Sequence, residues 1–265
     1  MKNENNAFIS FENTTAGIIF DDSENKDYPI RYFNVISGSG ITTEEENSYF
    51  GFVYDGEISI KNDKNEVLKL KSGMFFSFTG VRKFANLIGK AIVIETINTK
   101  GIYAKESFSA YPIFGGPLED KGRLKYIDGC TDSLLIAPVK KGNPCLNHLH
   151  FPKDINQTQH THPSHRIGIV ASGYGECITP FGNLPLTQGM IFVIKEWDGK
   201  TYGTGLDGKE YPCGTHAFKT ESSFMNVVAF HPDSDFGATD EIHPMINRTI
   251  VDGVPANQID EIRTK

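Results

Sequence analysis

The chain has 265 residues, of which 38% are hydrophobic and 22% are charged, and its formal net charge is −7. This composition predicts a folded chain with a sizeable core, and the acidic balance without basic runs argues against a nucleic-acid partner. No stretch approaches the roughly 18 apolar residues that span a bilayer, and the first residues lack the apolar core of a signal peptide. The four cysteines show no C-x-x-C spacing, and scattered thiols in an unsecreted chain are expected to be reduced and buried. Together these features predict a cytoplasmic protein with no membrane partner.

Short runs of β-branched and aromatic residues, broken by Gly, Asn, Asp and Pro, follow one another along the chain. The clearest runs are 49–60, 91–97, 189–194 and 225–230. Only the stretches 119–125 and 257–263 have helix-like spacing. The pattern predicts an all-β protein, either a sandwich or a barrel.

Three glycines recur in the same order in each half of the chain. The intervals from Gly51 to Gly56 and on to Gly73 are five and seventeen residues, and those that begin at Gly168 are five and sixteen. The third glycine of each set is followed by Met and two large apolar residues. Glycines at such positions are typical of turns and bulges with positive φ. The repeat predicts two similar β-domains that meet within residues 100–120.

Two motifs of the second half resemble those of the cupin superfamily. His160-Thr161-His162, followed by Gly173, is similar to the H-x-H motif with its closing glycine. Residues 212–216, Pro-Cys-Gly-Thr-His, resemble the later P-x-G…His motif and supply His216. The resemblance implies two tandem jelly-roll (double-stranded β-helix) cupin barrels. Residues 1–110 would form a degenerate domain without metal ligands, and residues 111–265 the metal-binding domain.

The first half has no histidine, since all eight lie between positions 148 and 243. Thr43 and Glu45 stand near the place of H-x-H, and Arg82 or Lys83 near that of the later His. The second half departs from the motif as well. Arg166 holds the slot of the motif's Glu, seven residues before Gly173, and Arg has no lone pair for a metal.

His160, His162 and His216 are therefore the predicted metal ligands. Residues i and i+2 of a strand point to one face, so His160 and His162 can aim two imidazoles into the barrel, and His216 can complete a set of three. Imidazole suits several first-row ions; we expect one divalent ion, Fe(II) by preference, with Mn, Ni, Zn or Cu as alternatives. The competing interpretation is that H-x-H simply lies on a polar strand.

The next two residues with a predicted role, His165 and Arg166, come shortly after His162 in the sequence. His165 is the predicted catalytic base near the metal, although it could also be a fourth ligand or an outward-facing loop residue. Arg166 is predicted to bind a substrate carboxylate through bidentate hydrogen bonds, or else to pair with an acid such as Glu176. The Gly- and Asp-rich stretch 195–211 reads as an inserted loop, and its Trp197 and Tyr202 are predicted to cover the substrate. Alternatively, the loop is a surface excursion packed by its own aromatic residues.

The remaining histidines are assigned no role in the site. His148 and His150 form a second H-x-H, which the apolar Leu149 and Phe151 turn away from the core, toward the partner domain or solvent. His231 and His243 each precede a proline and are predicted to be turn residues.

A three-His site without a carboxylate resembles the mononuclear Fe(II) cupins that activate O2. The leading prediction is a dioxygenase-like non-haem Fe(II) oxygenase acting on a small carboxylate-bearing or chelating metabolite. One alternative is a Lewis-acid cupin, a hydrolase, isomerase or lyase that uses Mn, Ni or Zn. Another is a cupin that binds a small ligand without catalysis. Strand edges would allow a homodimer.

Overall fold

The computed structural model describes residues 2–85, 88–234, 250–251 and 254–255. The chain divides into two compact units, Met1–Ser234 and Asp235–Lys265. In the second unit, Ile250–Val251 and Val254–Pro255 pair as an antiparallel hairpin. The predicted helix at 257–263 and the predicted turn at His243 lie outside the described residues. All other predicted site residues belong to the first unit.

The regular secondary structure of the first unit is almost entirely β-strand. Those of its first part are Lys2–Glu4 (β1), Phe8–Phe11 (β2), Gly17–Asp22 (β3), Ile30–Val35 (β4), Ser48–Asp55 (β5), Glu57–Lys61 (β6), Val67–Lys71 (β7), Phe75–Thr79 (β8), Lys83–Ala85 (β9), Lys90–Thr96 (β10) and Ile113–Gly115 (β11). Those of its second part are Leu124–Lys125 (β12), Thr131–Ile136 (β13), Cys145–Phe151 (β14), Arg166–Ile178 (β15), Leu184–Thr187 (β16), Ile191–Ile194 (β17), Tyr202–Thr204 (β18), Glu210–Pro212 (β19), Ala217–Lys219 (β20) and Met225–His231 (β21).

Helix is scarce in the described part of the chain. It consists of one α-helix, Gly101–Lys105 (α1), and one 3₁₀ turn, Ile127–Gly129. The helix-like spacing at 119–125 was misleading, because this stretch ends in strand β12. No helix among the described residues is long and apolar enough to cross a membrane.

The strands form antiparallel sheets, two of which are large. One has six strands in the order β11-β8-β5-β10-β4-β3, and the other runs β1-β2-β17-β15-β21-β14-β13-β12, with β16 and β20 also paired to β15. A smaller sheet, β7-β6-β9, lies within the first half. Strand pairing crosses the predicted boundary at residues 110/111 twice: β2 pairs with β17, and β11 pairs with β8.

The glycine repeat in the sequence corresponds to repeated local geometry. Gly51 pairs with Phe76, and a Cβ added to it would lie 2.2 Å from that phenyl ring. Gly168 pairs with Phe192 in the same way, at 2.4 Å. Because a phenyl ring lies directly against each strand, only glycine leaves room for it. The two halves therefore share the packing of a strand glycine against a phenyl ring of the paired strand. Their arrangement as two complete jelly rolls stays a prediction.

The buried apolar side chains form three clusters. One joins both halves, and includes Ile30 and Phe50 from the first and Ile167, Val228 and Phe230 from the second. A second cluster fills the sheet of the second half, and a third that of the first half. The candidate site described below borders the second cluster.

Candidate metal site

Three imidazoles converge at one end of the second half's sheet. The ring centroids of His160 and His216 are 4.5 Å apart, and His162 lies 5.0 Å from His160 and 5.2 Å from His216. One potential ligand atom from each ring lies within 4.8 Å of the other two. Among the described residues, this is the only set of three His, Cys, Asp or Glu side chains so placed.

Backbone hydrogen bonds hold the three residues in position. The N–H of His160 donates to the carbonyl of His216 at 2.9 Å, and the N–H of His216 donates back to that of His160 at 3.0 Å. The carbonyl of His162 accepts the N–H of Trp197 at 2.8 Å. The inserted loop therefore contacts the site through its backbone, beside the second histidine of the pair.

The motif Pro-Cys-Gly-Thr-His needs its glycine. Gly214 has φ +78°, and a Cβ there would lie 2.2 Å from the carbonyl oxygen of Lys195. Its N–H donates to the carbonyl of Asn6 at 2.9 Å. Its own carbonyl accepts the Nδ1–H of His216 at 2.8 Å. The tight turn therefore sets the orientation of the imidazole two residues later.

The hydrogen bonds of the rings leave their metal-binding nitrogens free. Nδ1 of His160 donates to the carbonyl of Thr158 at 2.8 Å, as Nδ1 of His216 does to Gly214. A neutral imidazole that donates from Nδ1 keeps its lone pair on Nε2, which is how backbone carbonyls orient metal-binding histidines. The donor set therefore fits a divalent transition-metal ion.

The electrostatics of the site favour neutral rings. Burial lowers the pKa of His160, and it lowers that of His216 to about 3. Burial, together with the nearby Arg166 guanidinium, holds the pKa of His162 far below its ordinary value. Neutral imidazole is the form that binds metals, so near pH 7 no proton has to leave before an ion enters.

The three histidines line a small, largely enclosed cavity. Its apolar wall comes from the second hydrophobic cluster and includes Leu149, Phe151, Phe192, Ile194 and Phe218. Arg166, His231 and Tyr126 add polar groups. The cavity has a volume of about 30 Å³, enough for an ion and a water but too small for an organic substrate. A lining side chain must move before a substrate binds.

Arg166 belongs to this cavity, and its acidic partner is Asp233. Nη1 of Arg166 donates to Oδ1 of Asp233 at 2.7 Å, and Ser164 hydrogen-bonds both side chains. The predicted alternative partner, Glu176, is not the one found. Nε of Arg166 is buried and has no hydrogen-bond partner among the described residues. The ion pair offsets the charge that would otherwise repel a metal ion.

His231 also lines the cavity, although the sequence interpretation left it in a turn. It ends strand β21, where Val227 and Ala229 line the cavity at the preceding alternate positions. Strand alternation from these two residues places His231 on the same face. Burial holds its pKa well below the ordinary value. The signal was therefore present in the sequence, but the following proline obscured it.

The structure does not bring His165 to the three histidines. Its Nδ1 accepts the N–H of Glu196 at 2.8 Å, and its Nε2 lies 3.3 Å from Oδ2 of Asp22. The ring packs edge-on against Phe20. It does not line the cavity. Because both ring nitrogens are engaged elsewhere, this geometry does not support the predicted roles as catalytic base or fourth ligand.

Trp197 and Tyr202 also lie outside the cavity lining. Their rings meet edge to face at 5.9 Å, and the indole N–H of Trp197 donates to the carbonyl of Thr201 at 3.0 Å. Tyr202 is 51% exposed. The loop is packed by its own aromatic residues, which was the alternative interpretation, so it offers no cover for a substrate in this conformation.

In the first half, one backbone hydrogen bond resembles the one that joins His160 to His216. The N–H of Thr43 donates to the carbonyl of Arg82 at 2.9 Å, much as that of His160 does to His216. The threonine hydroxyl is engaged with backbone groups of Gly80 and Arg82. The two positions that the sequence comparison singled out therefore do face each other.

Comparisons with known proteins give a fold and no closer relationship. No protein-family model matches the chain, and no curated protein sequence matches it significantly. A putative glyoxylate-induced protein from Pseudomonas aeruginosa superposes with a TM-score of 0.59 at 11% identity, covering 89% of this chain and 92% of that one.

Two further solved structures are similar over most of their length. A cupin 2 conserved barrel domain protein from Leptotrichia buccalis gives a TM-score of 0.52 at 14% identity, with 87% and 91% covered. A mutant salicylate 1,2-dioxygenase from Pseudoaminobacter salicylatoxidans, in complex with gentisate, gives 0.53 at 9% identity, with 78% and 69% covered. With its antiparallel sheets and repeated glycines, this chain has the fold of the cupin superfamily.

Proposed function

We propose that this protein is a mononuclear metal-dependent enzyme, a non-haem Fe(II) oxygenase acting on a small carboxylate-bearing or chelating metabolite. The observation that carries the proposal is the convergence of His160, His162 and His216, with Nδ1 of two of them committed to backbone carbonyls. The dioxygenase among the similar structures supports the reaction type only as an analogy of fold.

Three neutral ligands suit this chemistry. An Fe(II) ion held by them would keep its full positive charge and open positions for dioxygen and for a chelating substrate. The apolar wall formed by Leu149, Phe151 and Phe218 would exclude bulk water from the reacting groups.

Arg166 would bind the anionic group of the substrate. Its Nη1 is committed to Asp233, which fixes the plane of the guanidinium, while Nε remains unpaired. The edge formed by Nε and Nη2 can donate two parallel hydrogen bonds to a carboxylate. His231, on the adjacent strand, would contribute a neutral imidazole to the same group.

The first test is metal content, measured by plasma mass spectrometry on untagged protein purified anaerobically. We expect close to one iron per chain, lost in His162→Ala and His216→Ala. His165→Ala is the matched control and should keep its iron, because His165 does not line the cavity. Unchanged metal content in His162→Ala would contradict the assignment.

The second test is oxygen uptake by the iron-loaded protein with a panel of small acids, thiols and diketones. We expect uptake with at least one carboxylate-bearing compound, and a raised KM in Arg166→Met, which removes the anion-binding edge. Consumption of no oxygen across the panel, despite full iron loading, would overturn the oxygenase proposal.

A Lewis-acid enzyme is the second candidate, because three histidines are also the ligand set of some catalytic zinc sites. Activity with Mn or Zn under anaerobic conditions would favour it. Binding of metal and ligand without turnover under either condition would leave a non-catalytic cupin.

A further inference from the structure

Adjacent strands place polar residues side by side on the face of the sheet opposite the metal cavity. Leu149 and Phe151 line the cavity, so the alternate residues His148 and His150 of β14 point to the other face, as their spacing predicts. In the pairing of β14 with β21, His150 lies opposite Asn226. These residues belong to no metal-binding set among the described residues.

Hydrogen bonds hold the ring of His150 with one nitrogen toward the sheet. The residue is 5% exposed, and its Nδ1 lies 2.8 Å from Oδ1 of Asn226. Nδ2 of Asn226 donates to Oγ of Ser172, on the next strand, at 3.0 Å. An amide oxygen only accepts, so Nδ1 of His150 carries a proton, and the neutral ring keeps its lone pair on Nε2.

Nε2 of His150 is accessible from outside. Among the described residues it has no hydrogen-bond partner, and it is not one of the fully enclosed atoms, whereas the unpaired Nδ1 of His148 is. His150 lines an open cleft of about 480 Å³, which we call the outer cleft. This volume is within the range of small-molecule sites. A ligand in the outer cleft can therefore reach the free lone pair of His150.

The outer cleft carries an excess of positive charge. Lys121 and Lys153 line it, both are exposed, and neither forms an ion pair with a described residue. Asp120 is the only acid among the described residues of the lining. Two ammonium groups therefore face one carboxylate, on a chain whose formal net charge is −7. Such a local excess of positive charge favours an anionic ligand.

A flat apolar surface lies beside these polar groups. The ring of Phe224 is 40% exposed and stacks on His150, with the ring centroids 6.0 Å apart and an angle of 27° between the planes. Pro152 adds a second apolar side chain to the lining. An exposed aromatic face of this kind packs well against another planar ring. The ligand that matches the outer cleft therefore joins an anionic group to a ring.

The lone pair of His150 discriminates between classes of anion. A carboxylate only accepts hydrogen bonds, so it would set its own lone pairs against Nε2. A phosphate monoester loses its second proton at about pH 6, so its monoanion still has a hydroxyl that can donate to Nε2. The remaining phosphate oxygens can accept from the lysines, which are common phosphate ligands. The cleft therefore fits a phosphate better than a carboxylate.

We propose that the outer cleft binds a small aromatic phosphate monoester, with the phosphate between Nε2 of His150 and the ammonium groups of Lys121 and Lys153, and the ring against Phe224. This site is separate from the metal cavity, and the inference does not depend on the proposed oxygenase activity.

The test titrates the full-length chain with phenyl phosphate, benzoate and phenol at about pH 6.5, where the monoester is partly protonated. Isothermal titration calorimetry gives the affinities, and histidine-ring ¹⁵N NMR reports on Nε2 of His150. We expect phenyl phosphate to bind about tenfold more tightly than either of the others, because only it offers both the charge and the donor. The Nε2 resonance of His150 should shift with phenyl phosphate. Equal affinity for benzoate or phenol, or no binding of phenyl phosphate, would overturn the proposal.

Three lysine variants locate the site without disturbing the buried network. Lys121→Gln and Lys153→Gln should each weaken phenyl phosphate binding several-fold, because each removes one ammonium group from the lining. Lys125 is exposed on β12 and does not line the cleft, so Lys125→Gln makes the same change of charge and should bind normally. All three should fold and keep their metal content. Equal weakening by the three substitutions would contradict the assignment of the cleft, because the overall charge would then explain the binding.

Discussion

Asp132 is a carboxyl group buried on strand β13 without a charged partner. It is 2% exposed, its Oδ2 accepts Nδ2 of Asn147 at 3.0 Å, and its Oδ1 has no partner among the described residues. Oδ1 of Asn147 is likewise buried and unpaired. Burial raises the pKa of Asp132 to about 6. The fold therefore favours the protonated acid, which has a donor to offer.

Because the pKa of Asp132 is raised in the folded protein, we expect the free energy of unfolding to fall as the pH rises. Between about pH 4, the ordinary value, and about pH 6 the folded chain holds a proton that the unfolded chain has lost, so the free energy of unfolding decreases across that window. Each pKa unit is worth about 1.4 kcal/mol, so the total is about 3 kcal/mol. Above pH 6.5 we expect the free energy of unfolding of Asp132→Asn to exceed that of the wild type by about 3 kcal/mol. At pH 4 we expect the two proteins to have similar free energies of unfolding.

Denaturant unfolding of both proteins at a series of pH values measures this difference. Asp63→Asn, on an exposed turn, is the control and should follow the wild-type curve. A difference between wild type and Asp132→Asn that does not change with pH would contradict the buried-acid interpretation.

At the scale of single residues, sequence spacing could not predict which side chains line the metal cavity, because this depends on the segments that pack beside them. His165 and Arg166 are adjacent in sequence, yet only Arg166 lines the cavity. His165 instead meets Asp22 and Glu196, which come from distant parts of the chain. A sequence motif gives the position of a residue along a strand, but its partner depends on which other segments pack there.

Among the elements, the segment between β12 and β13 covers one side of the metal cavity. Tyr126 lines the cavity. Asp128 joins the segment to the loop before β15 that carries His160 and His162. Oδ2 of Asp128 accepts the N–H of Thr158 at 2.7 Å, and Oδ1 accepts its hydroxyl at 3.3 Å. Because the cavity is too small for a substrate, we expect this segment to move when one binds.

Asp128→Ala removes the hydrogen bonds between the Asp128 carboxylate and Thr158. We expect metal release to a chelator, followed by stopped-flow absorbance, to become several-fold faster, with metal uptake faster by a similar factor and Kd nearly unchanged. Asp120 is exposed and is not part of the Asp128–Thr158 contact, so Asp120→Ala is the matched control. A weaker Kd with unchanged uptake would instead mean that Asp128 supports His160 through Thr158, whose carbonyl accepts Nδ1 of that histidine.

The N-terminal strands connect the start of the chain to the metal site. All four residues of β2 are buried, and this strand pairs with β17. The carbonyl of Ala7 accepts the N–H of Lys195 at 2.8 Å, and that of Asn6 accepts the N–H of Gly214. Residues 5–11 therefore support the turn that positions His216. Strand β1, in contrast, is exposed, and among the described strands it pairs with β2 alone.

Two truncations test this dependence in the whole molecule. Removal of residues 1–12 should lower the free energy of unfolding by several kcal/mol, since each buried Phe or Ile side chain contributes about 2 kcal/mol, and should abolish metal binding. Removal of residues 1–4 should leave both nearly unchanged. Thermal unfolding and metal analysis provide the readouts. Wild-type metal content in the longer truncation would contradict the dependence of the metal site on residues 5–11.

Over the whole molecule, the sequence by itself determined what depends on local pattern. The alternation of apolar and polar residues and the β-branched residues predicted the strands, and the glycine intervals predicted the repeat. The motifs at 160–162 and 212–216 predicted the three converging histidines. These features follow from backbone geometry over a few residues. Only the tertiary structure decided the pairing of Arg166 with Asp233, the placement of His231 in the cavity, the exclusion of His165 from it and the joining of β2 to β17. Each of these depends on which distant segments pack together, and that choice is set by the burial of the whole core.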